Sequence, residues 1–408
     1  MVAKSNVGDY VSLQRGTTYK GTLVGKPGPA LLGLGSIRPG GGFREGDYKT
    51  YGGECPEKLM LFPGDLFVSL KGATKDGEMI GSIARVPSSV PSGRLTQDTV
   101  KLVFHDSDQE TANYLYWLLR TPQYREYCAA HATGSAVVAL SREDFLAYPI
   151  PAATPARMQI VKLFEALERK IEVSRRMNES LESIAQALFR YCIGDFDPAL
   201  GANRIGWKTG RFGDVVELLR EQESPLSSPE TVFHHHSIPA FDNGQRPEVE
   251  VGWNIKSLKL RVPSNVILLS KLNPEIERVW LVDVQPDEHA ICSTEFLVLR
   301  PRPPFGLAFA YCLARSSMFR QQIEALVTGT SKSHQRAQAE SVLQLPIVLP
   351  PPSIVQTFET HSSALLARTL SCRRESRTLS AIRETLLPRL VSGEIPVSFP
   401  ERIVGGQA

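Results

Sequence analysis

The strongest constraint on the fold of this chain is that its two halves carry the same short sequences in the same order. Residues 8–13 (GDYVSL) are echoed 205 positions later by residues 213–218 (GDVVEL). Four further pairs follow: 63–71 with 263–271, 133–135 with 328–330, 148–150 with 345–347, and 155–159 with 352–356. Five ordered echoes indicate an internal duplication, and 408 residues suffice for two domains of ordinary size.

Each half repeats one internal plan. Apolar runs at 66–68 and 266–269 have the composition of strands and are flanked by glycine, proline and asparagine turn signals. A helical stretch follows at 112–127 in the first half and at 306–325 in the second, and each half then leaves through a proline-rich segment. The pattern predicts a domain of mixed sheet and helix in each half.

A long amphipathic helix is predicted after each mixed domain. Residues 156–193 contain neither glycine nor proline, and their apolar side chains advance in steps of three and four. A second stripe runs from Ile354 to Leu386, with the more polar Ser362, Arg368 and Ser376 near its seam. Such helices are roughly 55 Å long. Because one of them alone cannot bury its apolar stripe, we expect the two to pair with each other as a rigid spacer. The alternative is that each helix packs only on its own domain.

Several segments resemble one protein family. They are HSIPAFD at 236–242, IKS at 255–257, LSKLNP at 269–274, VW at 279–280, STEF at 293–296, PGDLFVS at 63–69, KG at 71–72 and LLPRLVSGEI at 386–395. In this duplicated order they resemble the specificity subunit of type I restriction-modification enzymes over essentially the whole chain. One departure is that the central IGD at 193–195 is shorter than the distal VSGE at 391–394.

The resemblance implies an α/β fold of the α+β type, with two tandem target-recognition domains separated by two long helices that pair as an antiparallel coiled coil. The domains would span residues 1–152 and 196–350, the helices 153–195 and 351–397, and a tail 398–408. Each domain would read one half of an interrupted sequence in double-stranded DNA. The implied partners are two methyltransferase subunits and, in the restricting complex, motor-nuclease subunits.

The sequence offers no catalytic centre and no cofactor loop. The closest approach to a methyltransferase amino-group motif, residues 302–305 (RPPF), lacks the asparagine that would hold the base, and Gly40-Gly41-Gly42 is not followed by the Lys-Ser/Thr of a P-loop. Three adjacent histidines at 234–236 would alternate between the faces of a strand, so they cannot readily share one metal ion. We therefore expect a non-catalytic subunit with no metal and no cofactor.

The charge of the chain is a weak guide to its partner. With 46 Lys and Arg against 43 Asp and Glu, the net charge is +3, so a DNA-binding face must arise from local clustering. Donors in loops beside strand ends are the candidates, and they are Lys71, Lys75, Lys271, Asn273, Lys332, Ser333, His334 and Arg336. Alternatives are an adapter for a methyltransferase alone and a protein-binding scaffold. Acidic side chains in place of Lys71, Lys271 and residues 332–336 would favour the scaffold, and they are absent.

The remaining composition points to the cytoplasm. Six cysteines are scattered without CxxC spacing, as is typical of thiols in a reducing compartment. No apolar stretch reaches the length of a membrane span, and residues 1–5 (MVAKS) do not begin a signal sequence. We expect a cytoplasmic protein with no membrane partner.

Overall fold

The computed structural model describes residues 5–44, 46, 48–72, 78–134, 138–194, 205–327 and 335–392. The chain divides into two compact units. The first comprises residues 1–171 together with 378–408, and the second comprises residues 172–377. Each unit therefore contains part of both long helices predicted from the sequence.

The first unit is built on two small sheets with helices packed against them. Its elements in chain order are β1 (Ser5–Asn6), β2 (Val11–Arg15), β3 (Ala30–Leu32), β4 (Met60–Leu61), β5 (Leu66–Ser69), β6 (Ile83–Arg85), β7 (Gly93–Leu95), β8 (Thr99–Phe104), α1 (Gln109–Leu118), α2 (Pro122–His131), α3 (Arg142–Ala147), β9 (Pro149–Ile150) and the start of α4 (Pro155–Ile193). One sheet has the antiparallel order β2-β8-β5-β6, and the other has the order β3-β7-β4 with β3 and β7 parallel. Strands β1 and β9 pair separately.

The second unit repeats this plan and enlarges it. After α4 its elements are β10 (Lys208–Arg211), α5 (Phe212–Val215), β11 (Val216–Leu219), β12 (Gln222–Glu223), β13 (Val232–His236), α6 (Ile238–Asp242), β14 (Glu248–Val251), β15 (Lys259–Arg261), β16 (Ile267–Ser270), β17 (Val279–Leu281), β18 (His289–Cys292), β19 (Phe296–Pro301), α7 (Leu307–Ala314), α8 (Ser317–Ala325), α9 (Ala339–Leu343), β20 (Pro346–Leu349) and α10 (Pro352–Leu386). The short α11 (Arg389–Ser392) follows in the first unit. The sheet β11-β19-β16-β17 corresponds to β2-β8-β5-β6, whereas the second sheet has five strands in the order β12-β15-β18-β13-β14.

The duplication is visible in local contacts that recur in both units. The Asp9 carboxylate accepts the backbone N–H of Asn6 at 2.7 Å, and Asp214 accepts that of Arg211 at the same distance. A Cβ atom on Gly8 or on Gly213 would lie 3.3 Å from an atom of a leucine, so both glycines permit a close approach. The expected mixed α/β fold is therefore confirmed, with each half forming the same kind of unit.

The helical stretch predicted in each half proved to be two helices instead of one. In the first unit α1 ends before Thr121, whose hydroxyl accepts the N–H of Tyr124 and starts α2. In the second unit the Ser316 hydroxyl accepts the N–H of Phe319 in the same way. A side chain that caps a new helix offers the backbone a partner outside the old one, so the periodic stretch is interrupted at equivalent places.

The two long helices are present and pair antiparallel. In the second unit Glu182 of α4 meets Arg373 of α10, and Phe189, further along α4, meets Phe358, further back along α10, with ring centroids 5.5 Å apart. In the first unit Glu168 of α4 is paired with Arg383 of α10. The expected pairing of the long helices is thus confirmed.

Each unit also packs its own domain on these helices. In the first unit the ring centroids of Trp117 and Phe164 are 5.0 Å apart, and the Trp117 indole N–H donates to Glu165 at 2.6 Å. In the second unit the centroids of Phe189 and Phe309 are 5.4 Å apart. Pairing and domain packing therefore occur together, and the long helices form part of both hydrophobic cores.

Of the polar residues predicted near the helix seam, Ser362 and Ser376 are buried and small enough for close packing, whereas Arg368 is exposed. Ser174, Ser362 and Thr369 are fully buried on the long helices. The Thr369 hydroxyl donates to the Leu365 carbonyl of its own helix at 3.1 Å, which satisfies it without a partner on the other helix. Within the described part of the chain, no helix has both the length and the apolar content that crossing a bilayer requires.

Candidate nucleic-acid interface

In the first unit, the chain leaving β5 pairs with the segment that follows residues 135–137. The N–H of Gly72 donates to the Val138 carbonyl at 2.8 Å, and the N–H of Leu140 donates to the Leu70 carbonyl at 2.9 Å. Lys71 lies between these two hydrogen bonds. Backbone pairing therefore holds residues 70–72 beside residues 138–140, which are far away in the sequence.

Lys71 occupies this pairing with its charge already partly balanced. Its ammonium group lies 3.0 Å from the Asp98 carboxylate, and the two side chains are 43% and 31% exposed. The Ser69 hydroxyl donates to the Lys71 carbonyl at 2.7 Å and fixes the backbone there. Exposed ion pairs are weak, so the ammonium group can exchange Asp98 for a stronger anion such as a phosphate.

In the second unit the chain leaving β16 makes the same pairing. The N–H of Asn273 donates to the Gln335 carbonyl at 2.8 Å, and the N–H of Ala337 donates to the Lys271 carbonyl at 2.9 Å. Asn273 has a left-handed backbone with φ of 48°, a conformation that asparagine adopts more readily than most residues. We name these paired segments the bridge, which comprises residues 70–72 with 138–140 in the first unit and 271–273 with 335–337 in the second.

The cation opposite Leu272 in the second bridge is Arg336. Its Nε lies 2.9 and 3.1 Å from the two Glu295 carboxylate oxygens, and 48% of its side chain is exposed. The Glu295 carbonyl also accepts the N–H of Lys271 at 3.0 Å. Glu295 therefore orients Arg336 while leaving the other guanidinium nitrogens to bind a further acceptor.

The bridge corrects the correspondence between the two halves by one residue. The sequence pairs Lys71 with Lys271, because it aligns 63–71 with 263–271. In the structure the Ser69 hydroxyl donates to the carbonyl two residues ahead, and the Ser270 hydroxyl does the same. The two serines are equivalent, so Lys71 corresponds to Leu272 and Lys271 corresponds to the buried Leu70.

A second backbone feature supports the corrected register. Gly64 and Asn265 both have left-handed backbones, with φ of 94° and 58°, and each precedes its strand at the same distance from the equivalent serine. The alignment of 63–71 with 263–271 does not reveal the shift, because a lysine ends the apolar run in both halves. That lysine follows Leu70 in the first half and Ser270 in the second. The two lysines lie at neighbouring positions of the same backbone pairing.

The structure brings together some of the candidate residues and leaves others outside its description. Lys71 lies in the first bridge, and Lys271, Asn273 and Arg336 lie in the second. The other four candidates, Lys75, Lys332, Ser333 and His334, lie outside the described residues.

Sequence reasoning did not recognise the role of one arginine in each unit. Arg125 of α2 donates to the backbone carbonyls of Glu78 and Ile80, in the turn that leads to β6. Arg320 of α8 donates at 3.0 Å to the Glu275 carbonyl, in the equivalent turn. The repeated aromatic-Arg dipeptide was the available signal. In each unit the arginine holds the turn that follows the bridge segment 70–72 or 271–273. The two arginines therefore position the candidate interface without belonging to it.

The three histidines of β13 have different surroundings, as alternation along a strand requires. His236 is buried, and its Nδ1–H lies 3.2 Å from the carbonyls of His234 and Ile291. Burial lowers the pKa of His236 to about 4, so this ring is neutral and structural near pH 7. His234 lies 3.5 Å from Glu288, and His235 lies 3.0 Å from Glu250.

A chain of two duplicated α/β units, each of which contains part of both long helices, is a known fold. Over 95% of both chains, it is similar to the crystal structure of the type I restriction-modification S subunit from M. genitalium, with a TM-score of 0.57 and 13% sequence identity. No family model matches the chain.

Two curated relatives carry the same description. The specificity subunit of the type I restriction enzyme MjaIX from Methanocaldococcus jannaschii is 23% identical over 318 residues, which cover 71% of this chain and 70% of the relative. The specificity subunit of the HindI enzyme from Haemophilus influenzae is 22% identical over 310 residues, covering 59% and 67%. The chain is thus similar to type I restriction enzyme specificity subunits in both sequence and fold.

Proposed function

We propose that this chain is the DNA-recognition subunit of a type I restriction-modification complex. Its two units would each read one half of an interrupted target. The observation that carries this proposal is that one backbone pairing, the bridge, occurs in both units with different side chains. Leu70, Gly72 and Ala139 of the first unit stand where the second unit has Lys271, Asn273 and Arg336.

The different side chains on a common backbone suit two related but distinct reading tasks. Most hydrogen bonds between protein and DNA go to phosphates and fix register, and a smaller number of side chains read base edges. Lysine is a point charge suited to phosphate, whereas arginine has a planar fork that matches guanine. We assign phosphate contacts to Lys71, Lys75, Lys271 and Lys332, and base or mixed contacts to Asn273, Ser333, His334 and Arg336.

The rest of the chain would serve spacing and assembly. We assign recognition to residues 1–152 and 196–350, and the spacer and docking of partners to residues 153–195 and 351–397. Two methyltransferase subunits would supply methyl transfer, and motor-nuclease subunits would supply cleavage in a restricting complex. The chain itself would contribute no catalytic group and would bind no cofactor of its own.

The test is base-modification sequencing of DNA from cells that express this chain with its methyltransferase partner. We expect methyl-adenine in one interrupted motif that disappears when this chain is omitted. If the complex assembles and no methylation depends on the chain, the protein is a scaffold and the proposal is wrong. Methylation that depends on the chain without any restriction would identify a methyltransferase-only complex.

We expect Lys271→Ala to weaken binding of the assembled complex to its target and to reduce the slope of log affinity against log salt by about one unit. The physical reason is the loss of one phosphate contact and of the counterion that it releases. Fluorescence anisotropy at several salt concentrations measures the slope. Arg261→Ala is the matched control, because Arg261 is a cation of the same unit, is 57% exposed and pairs with Glu221 instead of a bridge residue. An unchanged slope for Lys271→Ala removes this residue from the phosphate contacts.

A further inference from the structure

Three potential metal ligands come together on the β13–β14 hairpin of the second unit. His235 of β13 is directly opposite Glu248 of β14, and Glu250 is two residues further along β14. Residues two apart on a strand project from the same face. One ligand atom from each of the three side chains lies within 4.8 Å of the other two.

Two hydrogen bonds fix the orientation of these three side chains. The Nδ1 atom of His235 lies 3.0 Å from a Glu250 carboxylate oxygen. The other ring nitrogen, Nε2, is buried and has no hydrogen-bond partner among the described residues. The hydroxyl of Ser237 donates to one Glu248 oxygen at 3.1 Å and leaves the second oxygen available. Among the described contacts, the imidazole of His235 therefore uses Nδ1 alone, and it directs this nitrogen at the Glu250 carboxylate.

We propose that His235, Glu248 and Glu250 form a binding site for a divalent transition-metal ion of the zinc class. Zinc bonds to imidazole nitrogen and carboxylate oxygen are roughly 2.0–2.2 Å long, so ligand atoms on one tetrahedral ion are about 3.4 Å apart. The ligand atoms are now up to 4.8 Å apart, so metal binding would require the exposed Glu248 side chain to rotate toward the other two ligands. The hydrogen bond from Ser237 would orient this carboxylate, as outer-shell partners do in metal sites.

The choice of metal follows from the donor set. Imidazole suits zinc, cobalt, nickel and copper, whereas magnesium and calcium prefer oxygen ligands alone. One nitrogen and two carboxylates match the first group. Three protein ligands on two adjacent strands would cross-link the hairpin and leave an open position for water.

One neighbouring cation opposes the site and gives a handle for testing it. Lys259 of β15 is largely buried, and its charge interacts with the Glu250 carboxylate. Its ammonium group donates to the Ser257 hydroxyl at 2.5 Å. The described contacts include no direct ion pair between Lys259 and Glu250. Removing this charge should strengthen binding of a dication.

The opposite face of β13 supplies an internal control. His234 there is 3.5 Å from Glu288. This pair offers one nitrogen and one carboxylate, and the described residues contain no third ligand of the same kind beside it. His234 should therefore not bind a metal ion tightly, although it is next to His235 in the sequence.

The experiment is titration of Zn²⁺ into the full-length chain, without an added histidine tag, by calorimetry in excess Mg²⁺. We expect one Zn²⁺ per chain, with affinity reduced at least tenfold by His235→Gln, by Glu250→Gln and by Glu248→Gln. His234→Gln should bind within twofold of the unaltered chain, and Lys259→Met should bind several-fold more tightly. Co²⁺ should give a visible absorption band that is lost in the same three variants.

Thermal unfolding distinguishes loss of the site from loss of the fold. Zn²⁺ should raise the melting temperature of the unaltered chain more than that of Glu248→Gln. Glu248 is exposed and its replacement leaves the core intact, so the two chains should melt at the same temperature without Zn²⁺. Absence of stoichiometric binding overturns the proposal. So does equal binding by the unaltered chain and His235→Gln. The proposal is independent of DNA recognition, because its readout is metal binding alone.

Discussion

Replacing Glu182 by glutamine is expected to lower the free energy of unfolding of the second unit by about 3–5 kcal/mol, the usual cost of breaking a buried ion pair. The side chain of Glu182, on α4, is only 15% exposed and meets Arg373 of α10 and Arg315 at the end of α7. The Tyr311 hydroxyl is 3.2 Å from the same carboxylate. The variant leaves two arginines in a poorly hydrated place without their shared anion.

The pH dependence of this contribution has a defined sign. Burial alone would raise the pKa of Glu182, but the guanidinium groups of Arg373 and Arg315 outweigh it and hold the pKa below its ordinary value of 4.5. The stabilisation is therefore fully present above that ordinary value and is lost as the pH falls through the lower pKa of the folded state. The Glu182→Gln variant should lack this acid-sensitive part of the stability.

Hydrogen exchange measured by mass spectrometry at increasing urea concentration is the suitable measurement, because it reports on the two units separately. The matched control is Glu340→Gln, which removes an ion pair with Arg220 whose side chains are 69% and 63% exposed. We expect that control to change stability by less than about 0.5 kcal/mol. Equal protection of the second unit in the two variants would contradict the central role given to Glu182.

If the proposed function holds, exchanging residues 1–152 for the corresponding domain of a type I restriction enzyme specificity subunit is expected to replace one half of the methylated motif and to leave the other half unchanged. The reason is that each unit has its own core and its own bridge. Under the proposed function, one unit would therefore contribute all the side chains that face one half-site. Base-modification sequencing of cells with the exchanged chain and the same methyltransferase reads both halves at once.

The reciprocal exchange of residues 196–350 is the control, and it should alter only the other half of the motif. The unread gap should stay constant in both exchanges, since neither touches residues 153–195 or 351–397. A change of both half-sites in a single exchange would mean that the units do not read independently. Loss of all methylation with an assembled complex would mean that the two domains must match each other.

The sequence alone determined the features that depend on local pattern. The absence of glycine and proline over residues 156–193, with apolar residues every three or four positions, predicts α4 within two residues at its start. Five ordered echoes predict two units of one kind, and the capping aspartates Asp9 and Asp214 recur because the same turn is built twice. Periodicity and turn chemistry are properties of neighbouring residues, so they can be read without a structure.

Only the tertiary structure decided which distant residues meet. The one-residue shift between Lys71 and Lys271 depends on backbone pairing with residues 138–140 and 335–337, which no local pattern reveals. The same holds for Glu248 and Glu250, which reach His235 through the register of a hairpin. Strand register is set by the packing of a whole sheet, and a slip of one residue sends every side chain to the opposite face. The sequence therefore determined the architecture of the chain, and tertiary packing decided the composition of its sites.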